Sequence, residues 1–217
     1  MKLYNYNISL TKLLILSTLT IYMMVAMRIT VTHSLKNAYL IWNLFLAAVP
    51  YFMVVWIKRK NFKVKSVKFA IIGSLWLLFL PNAPYLITDL VHLQYTDSVP
   101  LWYDYSMLFF ASFVGMAWGL FSILSLENFI DKQVNFKHKP LLMMLLFGIV
   151  SYGVYLGRFL RWNSWDIFTR PLEFLVSLKG TLCFETFAFV IIFSIIQFLV
   201  YVVLKVVINS KGKTSFA

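Results

Sequence analysis

This sequence is poor in acidic residues and holds almost no cysteine. Its 217 residues include only 8 Asp and Glu and a single cysteine, Cys183, and charged residues of both signs make up 13%. One cysteine excludes an internal disulfide and any zinc site built on paired cysteines. A charged fraction about half the ~25% of ordinary globular domains leaves too few groups to cover a water-facing surface. No H-E-x-x-H, G-x-x-x-x-G-K-[ST] or G-x-S-x-G pattern occurs, so the common signatures of zinc peptidases, P-loop nucleotidases and α/β-hydrolases are missing. What is abundant is apolar surface: 61% of residues are hydrophobic and 18% aromatic. They fall in runs long enough to make lipid the solvent.

Six runs read as membrane spans: Leu13 to Met27, Tyr39 to Ile57, Phe69 to Leu80, Met107 to Leu126, Leu141 to Leu156 and Phe184 to Ile208. A chain of this length is then spent almost entirely on spans, which predicts one integral membrane domain over residues 1–217. The first run follows Lys2 and Lys12 as a signal peptide would, but no small-x-small cleavage site follows it, so it is kept as the first span. The expected fold is all-α: a six-helix transmembrane bundle with a Pro-broken third helix and a short extracytoplasmic interfacial helix.

The net charge of +12 raises the question of nucleic acid, and its distribution answers it. Lys58, Arg59, Lys60, Lys63, Lys65 and Lys68 crowd one short loop between apolar runs, where positive charge sets orientation and adds at most some affinity for anionic lipid. With both termini in the cytoplasm, 14 of the 20 basic residues lie inside and 6 outside. Nucleic acid is therefore not an expected partner, and the lipid bilayer is. Small residues recur at four-residue spacing at Ala111, Gly115 and Gly119 and again at Gly153 and Gly157, stripes on which a neighbouring backbone can pack closely. No internal repeat of the kind that builds inverted-repeat transporters is visible.

Two polar stretches interrupt the apolar pattern. The first runs Leu80-Pro81-Asn82-Ala83-Pro84-Tyr85-Leu86-Ile87-Thr88-Asp89-Leu90-Val91-His92-Leu93. Each proline lacks an N–H and biases Leu80 and Ala83 away from helical angles, so the third span should break there, with Asn82 capping a new half-helix that has Pro84 in its first turn. At 100° per residue Tyr85, Thr88, Asp89, His92 and Thr96 share one face of that half-helix. Such a face either meets other polar groups at membrane depth or lies in the headgroups.

The second stretch runs from Gly157 to Pro171. If the fifth span continues by one turn, Arg158, Arg161 and Trp165 form a cationic ledge on one side. Pro171 then opens the short interfacial segment, and Gly180 closes it. With both termini inside, the two stretches reach the same extracytoplasmic side, as do Asp97, Asp104 and Glu185.

Asp89 and His92, three residues apart, read in three ways: a hydrogen-bonded structural cluster, a substrate site with His92 as general base and Asp89 as its orienter, or a carboxylate–His metal pair. No metal site is assigned, and the sequence does not give a cofactor. Arg158 and Arg161 suit phosphate or carboxylate, or else they pair with Asp89, Asp166 and Glu185 to join segments. Trp102, Tyr103, Trp162 and Trp165 read as sugar-stacking platforms or as an aromatic belt.

Trp76 to Leu93, with its LPNAPY-to-DLxHL run, and Gly157 to Asp166 together resemble the bacterial multi-pass membrane proteins grouped as domain of unknown function 1361. The resemblance extends over most of the chain after the first span. It implies a bacterial cytoplasmic membrane protein and carries no reaction, so its matched positions Asn82, Tyr85, Asp89, His92, Arg158, Arg161, Asn163 and Asp166 are candidate ligand-binding residues. Three functions follow as expectations. One is binding or transport of a small anionic or lipid-linked envelope compound. Another is a membrane enzyme acting on an envelope lipid or glycan, and the third is a structural subunit whose protein partners the sequence does not name.

Overall fold

The computed structural model describes residues 9–92, 99–135 and 137–213. Among these, α1 is Leu10–Thr32, α2 Tyr39–Lys60, α3 Val67–Phe79, α4 Asn82–Thr88, α5 Leu101–Asp131, α6 Lys139–Phe159, α7 Asp166–Thr169, α8 Pro171–Lys179 and α9 Phe184–Lys213. A 3-10 turn, Asp89–His92, follows α4, and no strand occurs among the described residues. Six segments are long and apolar enough to cross a membrane. This is an all-helical, multi-pass membrane protein.

The helix ends follow local chemistry. Ser9 and Ser66 accept hydrogen bonds from the Lys12 and Phe69 amides at the starts of α1 and α3, each satisfying an otherwise orphaned N–H. Pro140 and Pro171 sit in the first turns of α6 and α8, where a missing N–H costs nothing. α8 has the expected bounds, from Pro171 to a cap at Gly180.

The described residues fall into two compact units, one comprising residues up to 48 with 82–119, the other 49–81 with the chain from 120 onward. In the first, Ile21, Val25, Leu44, Ala83, Leu86 and Met107 are fully enclosed, and the Trp118 indole donates to Thr18 Oγ1 at 3.0 Å. In the second, Leu80, Phe147, Val150 and Val154 are enclosed, and the Trp76 indole donates to Ser122 Oγ at 2.8 Å. Each buried tryptophan thus meets the requirement that its N–H find a partner. The outward faces of α1 (Leu13, Leu16, Met23) and α9 (Phe187, Ile191, Ile195) remain apolar and exposed, as lipid-facing surfaces do.

The small-residue stripes carry the broken segment. A Cβ on Gly115 would strike the Leu86 side chain and come within 2.9 Å of the Ala83 carbonyl, and one on Gly119 would lie 2.7 Å from Ala83 Cβ. In the second unit a Cβ on Gly153 would meet Pro81. Both stripes are packing devices within the chain, each admitting one part of the Leu80–Leu86 segment.

Candidate functional site

The break after α3 takes a different form from the one expected. Leu80 keeps helical angles (φ −56°, ψ −37°) despite preceding a proline, and Asn82 enters α4 as its first residue instead of standing before it as a cap. Close packing of Leu80, Ala83 and Leu86 holds the chain in the helical region and overrides the local bias of Pro81 and Pro84. The discontinuity therefore lies in the hydrogen-bond ladder, since the N–H groups of Pro81 and Pro84 are both missing. Ser164 Oγ donates to the carbonyl of Leu78 at 3.0 Å, supplying a donor beside that gap.

In the first unit α4 is a packed element rather than a headgroup-lying one, because Ala83, Pro84 and Leu86 are buried. Ser112 on α5 ties it down by donating to the Leu86 carbonyl at 2.7 Å. The segment delivers Asp89 to an interior position, 2% exposed, where Asn43 of α2 donates to Oδ2 at 3.1 Å. Tyr85 and Asn82 are half-buried on the same helix. Asp89 and His92 are the first and last residues of the 3-10 turn. Thr96 and Asp97 lie outside the described residues.

A second buried polar pair in this unit joins α1 to α5. Arg28 grips Asp104 in a fork, Nε to Oδ1 at 2.7 Å and Nη2 to Oδ2 at 3.0 Å, with the two side chains 3% and 6% exposed. The Tyr103 hydroxyl donates to the Met24 carbonyl at 2.8 Å, one turn before Arg28. From sequence Asp104 is placed on the extracytoplasmic side, and Arg28 is given no role. Their separation of 76 residues hides the pairing from any local pattern.

In the second unit the cationic ledge does not form as a helical stripe. α6 ends at Phe159, and Arg161 takes left-handed angles with φ 59°, after which the Trp162 amide reaches back to the Leu156 carbonyl at 3.1 Å. The turn points the chain away before Arg161 and Trp165 can align with Arg158. Left-handed angles are uncommon for a residue with a Cβ and cost of order 1 kcal/mol. Arg158, in the last turn of α6, is half-buried, whereas Arg161 is exposed and has no hydrogen-bonding or ionic partner among the described residues.

Asp166 organises the rest of the loop. Its Oδ2 accepts from the Asn163 backbone N–H at 2.7 Å and from Asn163 Nδ2 at 3.1 Å, and its Oδ1 pairs with Arg170 at 3.2 Å. Burial pushes the carboxyl pKa up, but these hydrogen bonds and the Arg170 charge outweigh it and hold the group below the usual aspartate value. Arg170 also lies over the Trp162 ring, 4.9 Å from its centroid. Asn163 and Asp166, both candidates from sequence, are therefore brought together as a loop-closing pair. Beyond them α8 lies with Leu172, Leu175 and Val176 exposed on one side.

Further polar contacts in this unit escaped the sequence reading. Glu127 of α5, buried, receives the Tyr201 hydroxyl at 2.6 Å and an ion pair from Lys205, both on α9. One turn earlier on α9, Gln197 donates to Ser151 of α6 at 2.8 Å. The four-residue spacing of Gln197, Tyr201 and Lys205 is a signal that could have marked this face. Among the described residues no group of three or more His, Cys, Asp or Glu is placed to hold a metal ion.

A family model described as a protein of unknown function, DUF1361, matches residues 42–200. No curated protein and no solved structure matches the chain.

Proposed function

This chain belongs to the DUF1361 family, and we propose that it binds an anionic, lipid-linked compound of the cell envelope at the end of α6 where Arg158 and Arg161 lie. The supporting observation is Arg161. A non-glycine residue in left-handed angles, exposed and with no partner for its guanidinium among the described residues, stores strain at a position where glycine or asparagine would sit comfortably. His33 and Asn61 take the same angles at other helix ends, so the strain marks a helix cap, and it is the exposed guanidinium that points to a ligand. A planar guanidinium fork suits phosphate or carboxylate. α8, amphipathic and bounded by Pro171 and Gly180, lies along the sequence from this loop with its apolar side chains exposed, as a helix at the headgroup level would have them. In this reading both termini are cytoplasmic, the Arg161 loop faces the cell exterior, and the protein resides in a bacterial cytoplasmic membrane. Asn82, Tyr85 and Asp89 then support the fold of the first unit, and Asn163 and Asp166 shape the loop.

The test is thermal unfolding of the purified protein, wild type beside Arg161→Gly, with phosphorylated lipids, nucleotide sugars and divalent metals. Glycine removes the charge and relieves the backbone, so this variant separates binding from folding. A rise in melting temperature with a phosphorylated lipid in wild type only supports the site. An equal rise in both proteins rules Arg161 out. Catalysis by His92 would instead appear as turnover lost in His92→Ala with binding kept.

A further inference from the structure

We infer that the α2–α3 and α5–α6 connections form one rigid cationic platform that binds the headgroups of anionic phospholipids in the adjoining leaflet. This is independent of the Arg161 site, which lies at the opposite end of α6, about 31 Å away for a 21-residue helix.

Residues 58–68 and 131–139 together carry nine Lys and Arg against one acidic residue, Asp131. A positive loop alone would say no more than which side of the membrane it faces. The structure adds that the two connections are fastened to each other. Gln133, just past α5, accepts from the Val64 amide through Oε1 at 3.0 Å and donates from Nε2 to the Phe62 carbonyl at 3.1 Å. Lys58, at the end of α2, donates to Ser125 Oγ at 3.0 Å, and Phe69 stacks on Phe129. The single carboxylate is taken by Lys139, at 2.8 Å from Asp131. Arg59, Lys60, Lys63, Lys65 and Lys68 are left exposed on one connection, and Lys132 and Lys137 on the other.

Like charges held this close repel one another, and anions gathered over them relieve that repulsion. The connections are six and seven residues long, 61–66 and 132–138. They are too short to project into solution, so their charges sit at headgroup depth. Trp56, half exposed and packed edge-on against Phe62 at 5.4 Å, marks the same level as interfacial aromatics do. That geometry favours a lipid surface over a soluble polyanion. Fixing the cations in advance also lowers the entropy lost when headgroups dock.

The full chain is reconstituted into phosphatidylcholine vesicles containing about 20% phosphatidylglycerol, which gives a negative surface. The protein-restricted fraction of spin-labelled phosphatidylglycerol is compared with that of spin-labelled phosphatidylcholine by electron spin resonance. We expect a several-fold preference for phosphatidylglycerol, most of it lost at about 0.5 M salt. Lys63→Gln/Lys65→Gln should reduce it by removing charge at exposed positions. Gln133→Ala should reduce it with no charge changed, and that is the outcome peculiar to a fastened platform. Arg161→Gly should leave it intact. Equal restriction of the two lipids overturns the proposal, as does a preference that survives both platform variants. A preference abolished by Arg161→Gly assigns the lipid to the other end and also overturns it. Displacement of the lipid by millimolar inorganic phosphate would replace the lipid surface with a free-phosphate site.

Discussion

The two polar stretches, 82–92 and 157–170, look alike in sequence, each a dense run of polar residues beside a helix end. The structure treats them oppositely. In the first, Asp89 is buried on Asn43, and α4 is sunk into the small-residue stripe of α5. In the second, Asp166 closes a loop that leaves Arg161 exposed on strained backbone. The two stretches therefore differ in where their partners lie: Asp89 finds one on α2, whereas Arg161 has none among the described residues.

The comparison is tested hardest where architecture is removed. Asp104→Ala leaves Arg28 buried without its counter-ion and should cost about 3–5 kcal/mol, seen as a large fall in melting temperature in detergent. Arg28→Met with Asp104→Leu should recover most of that loss, because two apolar side chains need no partner. A mild effect of Asp104→Ala would mean that the first unit is more open to water than its burial indicates.

Next in size is Gly115→Ala, whose Cβ would collide with Leu86 and the Ala83 carbonyl. We expect a loss of about 1–3 kcal/mol, and faster proteolysis or hydrogen exchange in residues 82–92 if the stripe is what seats α4.

Asp166→Asn should cost about 1 kcal/mol through weaker hydrogen bonds to Asn163 and Arg170. Because the folded carboxyl is held below its ordinary pKa, it adds stability above the unfolded value. That contribution is lost as pH falls through the depressed folded value. Melting temperature of the wild type should therefore decline on acidification more than that of Asp166→Asn, and parallel pH profiles would remove Asp166 from the account.

The smallest stability effect is expected at Arg161, where the proposed ligand site lies. Arg161→Gly should leave stability unchanged or raise it by up to about 1 kcal/mol by relieving φ 59°. A clear fall would show Arg161 to be structural and erase the difference between the two stretches.

Much of this was legible in the sequence. The run Phe184 to Ile208 became α9, Tyr39 to Ile57 became α2, and Pro171 and Gly180 bounded α8 as expected. Apolar length and capping are properties of contiguous residues, so a local reading captures them. The left-handed turn at Arg161 was not legible, since arginine carries no signal for it. Nor were the partners of Arg28, Glu127 and Asp89, which come from 76, 74 and 46 residues away.

By itself the amino-acid order determined that this chain is helical and crosses the membrane several times, because an apolar stretch of sufficient length must satisfy its backbone internally wherever it lies. It also determined where charge accumulates. Which charges are consumed and which remain available was decided only by tertiary structure. Pairing depends on which polar atoms of different helices are brought within about 3 Å of each other, and no local pattern encodes that distance.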